Sequence, residues 1–206
     1  MITNEPHSGV FPSGSSDLDN LDGRKLLWVL TGSISTASSP FWINWVRQIP
    51  AQVALRIILT RSAQRFVSNE ALSALLGHRV DIDTWEDSNA GALHVDLAEW
   101  ADGIIVHPCT FDYLSRIALG RGDSPSVLAI QSTSSPVVVC PAVPPGATSQ
   151  PVYSSHVEML AERSNIYLLD PVDAFSVHTR SRNGTAPASF PNALTMMAEA
   201  LRDARE

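Results

Sequence analysis

Glycine and hydroxyl-bearing residues follow the first apolar run of the sequence. Residues 31–36 read TGSIST, and Pro40, a residue that favours the first turn of a helix, comes shortly afterwards. Glycine permits a tight turn, and the free N–H groups at a helix start attract anions, as serine and threonine hydroxyls also do. The segment therefore predicts a phosphate site, although it matches neither the GxGxxG pattern nor a P-loop. The alternative is a serine-rich loop that only caps a helix.

A second set of hydroxyls follows the next apolar run, residues 53–59. Thr60 and Ser62 flank Arg61, and Phe66 lies four residues further on. In isolation such a segment is most often a helix N-cap. If both runs are neighbouring parallel strands, Ser62 lies beside the first loop and adds a donor to it.

Histidine supplies the other candidate chemistry. His94 lies in the segment HVDL shortly before a further apolar run, and His78, His107 and His156 have no stronger local argument. Imidazole titrates near neutral pH and serves as a general acid or base. A lone histidine is nevertheless more often a structural hydrogen-bonding group, so both interpretations stay open from the residues alone.

The apolar run that begins at Gly103 leads into the segment HPCTFDY, residues 107–113. Cys109 could be a nucleophile, but no Cys/His/Asn arrangement accompanies it, and a packed thiol is the commoner alternative. The chain has two cysteines, Cys109 and Cys140. Two cysteines make neither a disulfide framework nor a four-ligand metal site, and we expect no metal.

Apolar runs alternate with segments of helical spacing along the chain. The runs, typical of strands buried on both faces, are residues 25–30, 53–59, 103–106, 136–140 and 165–169, and helical spacing covers residues 41–49, 114–118 and 193–205. This alternation predicts an α/β protein with a single Rossmann-like (flavodoxin-like) doubly wound parallel sheet and helices on both faces. Ligands of such folds bind at the carboxyl ends of the strands, where the segments above lie.

Two regions depart from this pattern. Residues 1–23 are rich in Ser, Gly, Pro and Asp, which predicts a disordered leader before one domain over residues 24–206. Residues 178–190 read HTRSRNGTAPASF, a polar segment long enough to form a mobile clamp over a substrate. Residues 141–151, rich in Pro and Gly, are a second candidate for that role.

Composition excludes several classes of protein. The chain has 206 residues, and its 17% of charged residues is well below the roughly 25% of typical soluble domains. A net charge of −7 argues against a nucleic-acid partner, and no apolar run approaches the ~20 residues of a membrane span. No signal peptide is visible, so we expect a cytoplasmic protein. The shortage of charge indicates that part of the surface faces other protein.

Together these segments resemble the homo-oligomeric flavin-containing cysteine decarboxylases. The similar pieces are residues 31–34 (TGSI), 60–63 (TRSA), 94–97 (HVDL), Ala101-Asp102, and Pro108-Cys109-Thr110 leading to Gly120 and Asp123. Their order and spacing agree with the family over about half of the chain, which makes the set more specific than any one piece. The aromatic first helix is most similar to that of the peptidyl-cysteine decarboxylases of linaridins and thioamitides.

The resemblance implies noncovalent FMN and homo-trimers that in some members assemble to dodecamers. It implies His94 as the catalytic residue, and the cofactor contacts it implies are Gly32, Ser33, Ile34, Ser62, Phe66, Pro108, Cys109, Thr110 and Asp112. The implied reaction is oxidative decarboxylation of the C-terminal cysteine of a ribosomally made precursor peptide. FMN takes a hydride from Cβ, the resulting thioaldehyde lets CO₂ leave, and an aminoenethiol is formed.

Two positions depart from the family pattern. Where the family has the segment Pro-Ala-Ser-Ala-Asn-Thr, this chain has Asp112 at the position of the asparagine. In a later family segment, the asparagine that would bind the substrate carboxylate is replaced here by Pro144. Proline offers no side-chain donor and no N–H group. We therefore expect the carboxylate to be bound differently, by a backbone N–H near Gly146 or by an arginine of residues 178–190.

Three alternatives remain from the sequence. Pantothenoylcysteine decarboxylase is the nearest, but it needs a later cysteine and this chain has none after Cys140. A flavin prenyltransferase needs a basic phosphate-binding set that is not apparent here. Some relatives are non-catalytic, flavin-binding regulatory proteins, and the presence of His94 favours an enzyme over that class.

Overall fold

The computed structural model describes residues 15–87, 92–176 and 180–204. Six parallel strands form its sheet in the order β3-β2-β1-β4-β5-β6, which is the strand order of the Rossmann fold. The strands are β1 (Lys25–Leu30), β2 (Ala54–Leu59), β3 (Asp81–Ile82), β4 (Gly103–Thr110), β5 (Val137–Ala142) and β6 (Ile166–Leu168). The chain winds outward in one direction from β1 to β3 and in the other from β4 to β6, so the topology reverses between β1 and β4.

Helices cover both faces of the sheet. They are α1 (Ser39–Val46), α2 (Asn69–Leu76), α3 (Leu93–Trp100), α4 (Phe111–Ala118), α5 (Pro125–Ser132), α6 (Pro151–Ala161) and α7 (Phe190–Asp203). Alternate residues of β1 point to opposite faces. Trp28 and Leu30 pack with α1, α2 and α7, whereas Leu27 and Val29 pack with α3 to α6. The predicted doubly wound α/β fold is confirmed.

Most predicted strands agree with the structure to within a few residues. The strand predicted over residues 25–30 is β1 itself, because every residue after Lys25 is buried. The strand predicted over residues 103–106 is longer in the structure: β4 continues to Thr110, past a change of register between Val106 and Cys109. That extension carries the HPCT segment to the edge of the sheet where the other strands end.

In the part that the structure describes, the predicted clamp over residues 178–190 is not an irregular loop but includes a β-strand. Two antiparallel strands, β7 (Val172–Ser176) and β8 (Ser181–Ala186), form a hairpin beside the main sheet. The Thr185 hydroxyl donates to the Val143 carbonyl at 2.6 Å, which ties the hairpin to the end of β5. Residues 178 and 179 lie outside the described ranges, and a clamp function stays a prediction.

The predicted leader, residues 1–23, requires a correction at its C-terminal end. Ser15–Leu21 forms a 3₁₀ helix, and Leu18 and Leu21 are buried against α7. A spacing of three residues places both leucines on one side of a 3₁₀ helix, so both can pack against α7. Residues 1–14 lie outside the described ranges. None of the helices in those ranges is long and apolar enough to cross a membrane.

Candidate functional site

A polar cavity of about 510 Å³ lies at the carboxyl ends of β1 to β4. Both strands at the topological reversal contribute to its wall, Thr31 from the end of β1 and Thr110 from the end of β4. The volume falls within the range of small-molecule sites, and a crevice of this kind is where doubly wound folds bind ligands. The cavity is therefore our candidate functional site.

Thr31 ties the ends of β1 and β4 together. Its hydroxyl donates to the Pro108 carbonyl at 2.7 Å and accepts the Thr110 N–H at 2.9 Å. The carbonyl of Thr31 in turn accepts the Thr36 hydroxyl at 2.6 Å. This buried threonine thus fixes both the HPCT segment and the TGSIST loop at the cavity.

Gly32 and Ser62 approach each other more closely than any other side chain at position 32 would allow. A Cβ atom added to Gly32 would lie 2.4 Å from the Cβ of Ser62, a distance that real Cβ atoms essentially never show. The glycine therefore lets the loops after β1 and β2 meet at one wall of the cavity.

The donors at this wall are only partly used by the protein. The N–H groups of Gly32, Ile34 and Ser62 donate to no backbone carbonyl in the described ranges, and the Ser62 hydroxyl caps no helix. Ser33 differs, because its N–H donates to the Thr31 carbonyl at 2.8 Å and its hydroxyl accepts from Ser35. The free donors for an anion are thus the Gly32, Ile34 and Ser62 amides and the serine hydroxyl hydrogens.

Arg116 and Asp123 form a charged pair that also lines the cavity. The Nε and Nη2 atoms of Arg116 donate to Asp123 Oδ1 at 2.9 and 2.8 Å, and Nη2 also donates to the Ser124 hydroxyl at 2.7 Å. The hydrogen bond from Arg116 lowers the pKa of the Asp123 carboxyl. The pair therefore stays ionised and holds the loop before α5.

Trp85 connects this charged pair to His94. The indole Nε1 of Trp85 donates to the Asp123 carbonyl at 3.1 Å, and its ring lies 5.5 Å from the His94 ring in an edge-to-face arrangement. His94, the second residue of α3, lies beside Trp85 and outside the cavity lining. Its Nδ1 atom is buried without a hydrogen-bond partner in the described ranges. Among the residues that the structure describes, the His94 ring therefore has no hydrogen-bond partner.

The structure brings four of the predicted cofactor contacts to the cavity: Gly32, Ser62, Thr110 and Asp112. The other five predicted contacts do not line it: Ser33, Ile34, Phe66, Pro108 and Cys109. Burial raises the pKa of the Cys109 thiol well above its usual range, and that side chain lies in the core under α4. Cys109 is therefore a packed thiol, and neither Pro108 nor Cys109 lines the cavity.

Several cavity residues had no signal in the sequence. Asp83 follows β3, a strand of two residues with no apolar run, and Trp85 and Arg116 belong to segments that only the strand order brings together. The local sequence around each is typical of a solvated loop or helix face. Their convergence is a property of the fold.

His107 provides a prediction about stability. Burial lowers its pKa from 6.5 to about 4, and its Nε2 donates to the Ala188 carbonyl at 2.9 Å. Because the unfolded chain takes up this proton first, the contribution is present above pH 6.5 and is lost as the pH falls towards 4. The stability lost between neutral pH and about pH 5 is about 2 kcal/mol. We expect His107→Gln, which can keep the donor, to flatten this acid dependence in urea unfolding between about pH 7.5 and about pH 5. Equal pH slopes in variant and wild type would refute the assignment.

Comparison with known proteins assigns the chain to a family. The Flavoprotein family profile matches residues 15–194, so the chain belongs to the flavoprotein family. The cypemycin cysteine dehydrogenase (decarboxylating) of a Streptomyces species is 29% identical over 181 residues, which is 86% of this chain and 92% of that protein. The crystal structure of the FMN-dependent cysteine decarboxylase SpaF superposes with a TM-score of 0.74 at 25% identity, covering 90% of this chain and 99% of SpaF.

A second group of relatives has a different activity. The coenzyme A biosynthesis bifunctional protein CoaBC of Bacillus subtilis is 30% identical over 141 residues, which is 68% of this chain. The chain spans about a third of the length of that protein, as the match covers 34% of it. Similarity alone therefore does not choose between a relative named for cypemycin and one named for coenzyme A biosynthesis.

Proposed function

We propose that this protein catalyses the FMN-dependent oxidative decarboxylation of the C-terminal cysteine of a ribosomally made precursor peptide, giving an aminoenethiol. The observation that carries the proposal is the wall where Gly32 meets Ser62. It offers unused amide and hydroxyl donors at the topological reversal of a flavoprotein sheet. The similarity to cysteine decarboxylases supports the choice of reaction.

The residues present fit FMN. A phosphate needs several hydrogen-bond donors. Gly32 and Ser62 line the cavity and offer two amides and a hydroxyl, and the Ile34 amide and the Ser33 hydroxyl on the adjoining loop are predicted to join them. Thr110 and Asp112 line the cavity and would lie along the cofactor at the end of β4. Contacts from residues 108–109 stay predictions. Phe66, half-buried after the Ser62 loop, stays a predicted contact.

The reaction requires a hydride acceptor and a group that handles protons. Bound FMN would supply the acceptor for a hydride from the cysteine Cβ. Loss of that hydride and of the thiol proton converts CH₂–SH to a thioaldehyde. The bond between Cα and the carboxylate carbon then breaks, CO₂ leaves, and the electron pair moves towards sulfur. Protonation of the resulting enethiolate gives the aminoenethiol.

His94 is the residue we assign to the proton transfers. Its Nδ1 has no hydrogen-bond partner in the described ranges and its Nε2 is not fully buried, so Nε2 can take the thiol proton and return one to the product. Trp85 packs edge-to-face against the ring and thereby limits its orientation. His107, by contrast, is committed to the Ala188 carbonyl.

The active form is, in our proposal, a homo-trimer, with further association to a dodecamer as the larger form. Two apolar side chains near the cavity loop support an interface there: Ile34 is 60% exposed and Phe41 is 57% exposed. Trp42 and Phe41 pack edge-to-face on the same helix. We expect light scattering at micromolar concentration to give at least three times the monomer mass of 22.3 kDa, and a monomer would contradict this part of the proposal.

A panel of substrates tests the function. The FMN-loaded protein is incubated with a peptide ending in a free cysteine, the same peptide as its C-terminal amide, a peptide ending in serine, and pantothenoylcysteine with and without its phosphate. We expect only the first to be consumed, because the reaction needs both the thiol and a free carboxylate. Consumption of a pantothenoylcysteine would establish the alternative activity, and flavin binding without any turnover would indicate a regulatory protein.

A further inference from the structure

Asp83 occupies a position in the cavity that the phosphate donors and His94 do not explain. It follows β3, its N–H donates to the Leu59 carbonyl at 2.8 Å, and the residue is only 7% exposed although it lines the cavity. A carboxylate so deeply buried is rare unless it has partners that compensate for lost water.

The two carboxylate oxygens of Asp83 have different surroundings. Oδ1 accepts the Ser126 N–H at 2.8 Å, which orients the side chain. Oδ2 makes no hydrogen bond with the described residues, and part of its surface is accessible. One oxygen is thus fixed by the protein and the other is open to the cavity that Asp83 lines.

The neighbouring polar groups make their hydrogen bonds to other partners, although the Arg116 guanidinium is close enough to interact electrostatically with Asp83. Arg116 pairs with Asp123, and Arg61 pairs with Glu86. The Tyr113 hydroxyl lies 2.6 Å from the Ser126 hydroxyl, so these two groups satisfy each other. Asp83 has no ion pair within the described ranges. Oδ2 is therefore available to accept a hydrogen bond from a molecule in the cavity.

We propose that Asp83 recognises the hydroxyl-bearing chain of the flavin nucleotide, an inference that rests on the proposed function. The phosphate donors lie at the ends of β1 and β2, and Asp83 lies at the end of the adjacent β3 in the same cavity. A ligand that carries a phosphate at one end and hydroxyl groups next to it matches this order of donors and acceptor. A carboxylate accepts hydrogen bonds and repels a second phosphate, so a neutral polyol is the matching chemistry.

The test measures the affinity for three flavins by quenching of their fluorescence. FMN carries the phosphate and the hydroxyl chain, riboflavin carries the hydroxyl chain alone, and lumiflavin carries neither. Asp83→Asn keeps an oxygen acceptor for the Ser126 N–H and replaces the open oxygen with an amide. We expect this variant to bind FMN and riboflavin about tenfold more weakly, because charge-assisted hydrogen bonds are about twice as strong as neutral ones. Lumiflavin affinity should not change.

Asp81→Asn is the matched control, because it is the same substitution two residues earlier, at a carboxylate that pairs with Arg56 and does not line the cavity. Its riboflavin affinity should equal that of the wild type. Three results would overturn the inference. The Asp83→Asn variant could bind riboflavin as tightly as the wild type does, bind all three flavins more weakly by the same factor, or differ from the wild type only in binding FMN more tightly. The last result would mean that Asp83 merely repels the phosphate. Failure of the wild type to bind any flavin would instead refute the proposed function, and the inference with it.

Discussion

The His94→Asn variant is expected to bind FMN as tightly as the wild type while its kcat falls by about 10²- to 10⁴-fold. Asparagine keeps a polar side chain at the start of α3 but cannot exchange a proton near neutral pH. His94 lies beside Trp85 and outside the cavity lining, so its loss removes none of the Gly32 and Ser62 donors proposed to bind the phosphate. Steady-state kinetics with a cysteine-ended peptide and a flavin titration measure the two effects separately.

His78→Asn is the control for this variant. His78 is exposed and lines a different cavity, near the amino end of β2, so the same substitution there should leave kcat within about twofold of the wild type. Turnover by His94→Asn close to the wild-type value would remove His94 from the mechanism. Loss of flavin together with turnover would mean that His94 supports the fold of the site.

The Gly32→Ala variant is expected to bind FMN at least about 100-fold more weakly than the wild type. Its methyl group would lie 2.4 Å from the Ser62 Cβ, so the loops after β1 and β2 must separate. Separation moves the Gly32, Ile34 and Ser62 donors away from a common anion. Losing two charge-assisted hydrogen bonds corresponds to about 3 kcal/mol. A flavin titration of the purified variant measures this loss.

A compensating substitution distinguishes steric conflict from general damage. Ser62→Gly alone removes one hydroxyl and should weaken FMN about tenfold. In the double variant, Gly32→Ala with Ser62→Gly, the alanine methyl would contact only the backbone carbonyl carbon and the Cα of residue 62. These distances, 3.4 and 3.5 Å, are ordinary contacts. We therefore expect the double variant to bind FMN no more weakly than Ser62→Gly alone. Additive losses in the double variant would contradict the steric explanation.

Strands of the central sheet could be predicted because burial on both faces leaves continuous apolar runs, as in Lys25–Leu30. β3 could not, because it has two half-buried residues, one of them Asp81. The hairpin strand Ser181–Ala186 reads SRNGTA, and its polar, glycine-containing sequence has no strand pattern. Its order comes from cross-strand pairing and from the contact of Thr185 with Val143.

The candidate site divides in the same way. Gly32 and Ser62 could be predicted because glycine and hydroxyl residues directly follow apolar runs, and strand ends meet in a doubly wound sheet. The use of the Ser33 N–H by the Thr31 carbonyl depends on loop geometry, which composition does not reveal. Asp83, Trp85 and Arg116 converge from three segments through the strand order, so no local motif announces them.

The most direct test of the proposed reaction is the mass of the peptide product. The FMN-loaded protein is incubated with a peptide that ends in cysteine, and the product is weighed by mass spectrometry. Oxidative decarboxylation removes CO₂ and two hydrogens, so we expect a loss of about 46 Da. A loss of about 44 Da would indicate decarboxylation without oxidation, and an unchanged mass with FMN bound would contradict the assignment of this flavoprotein as a peptidyl-cysteine decarboxylase.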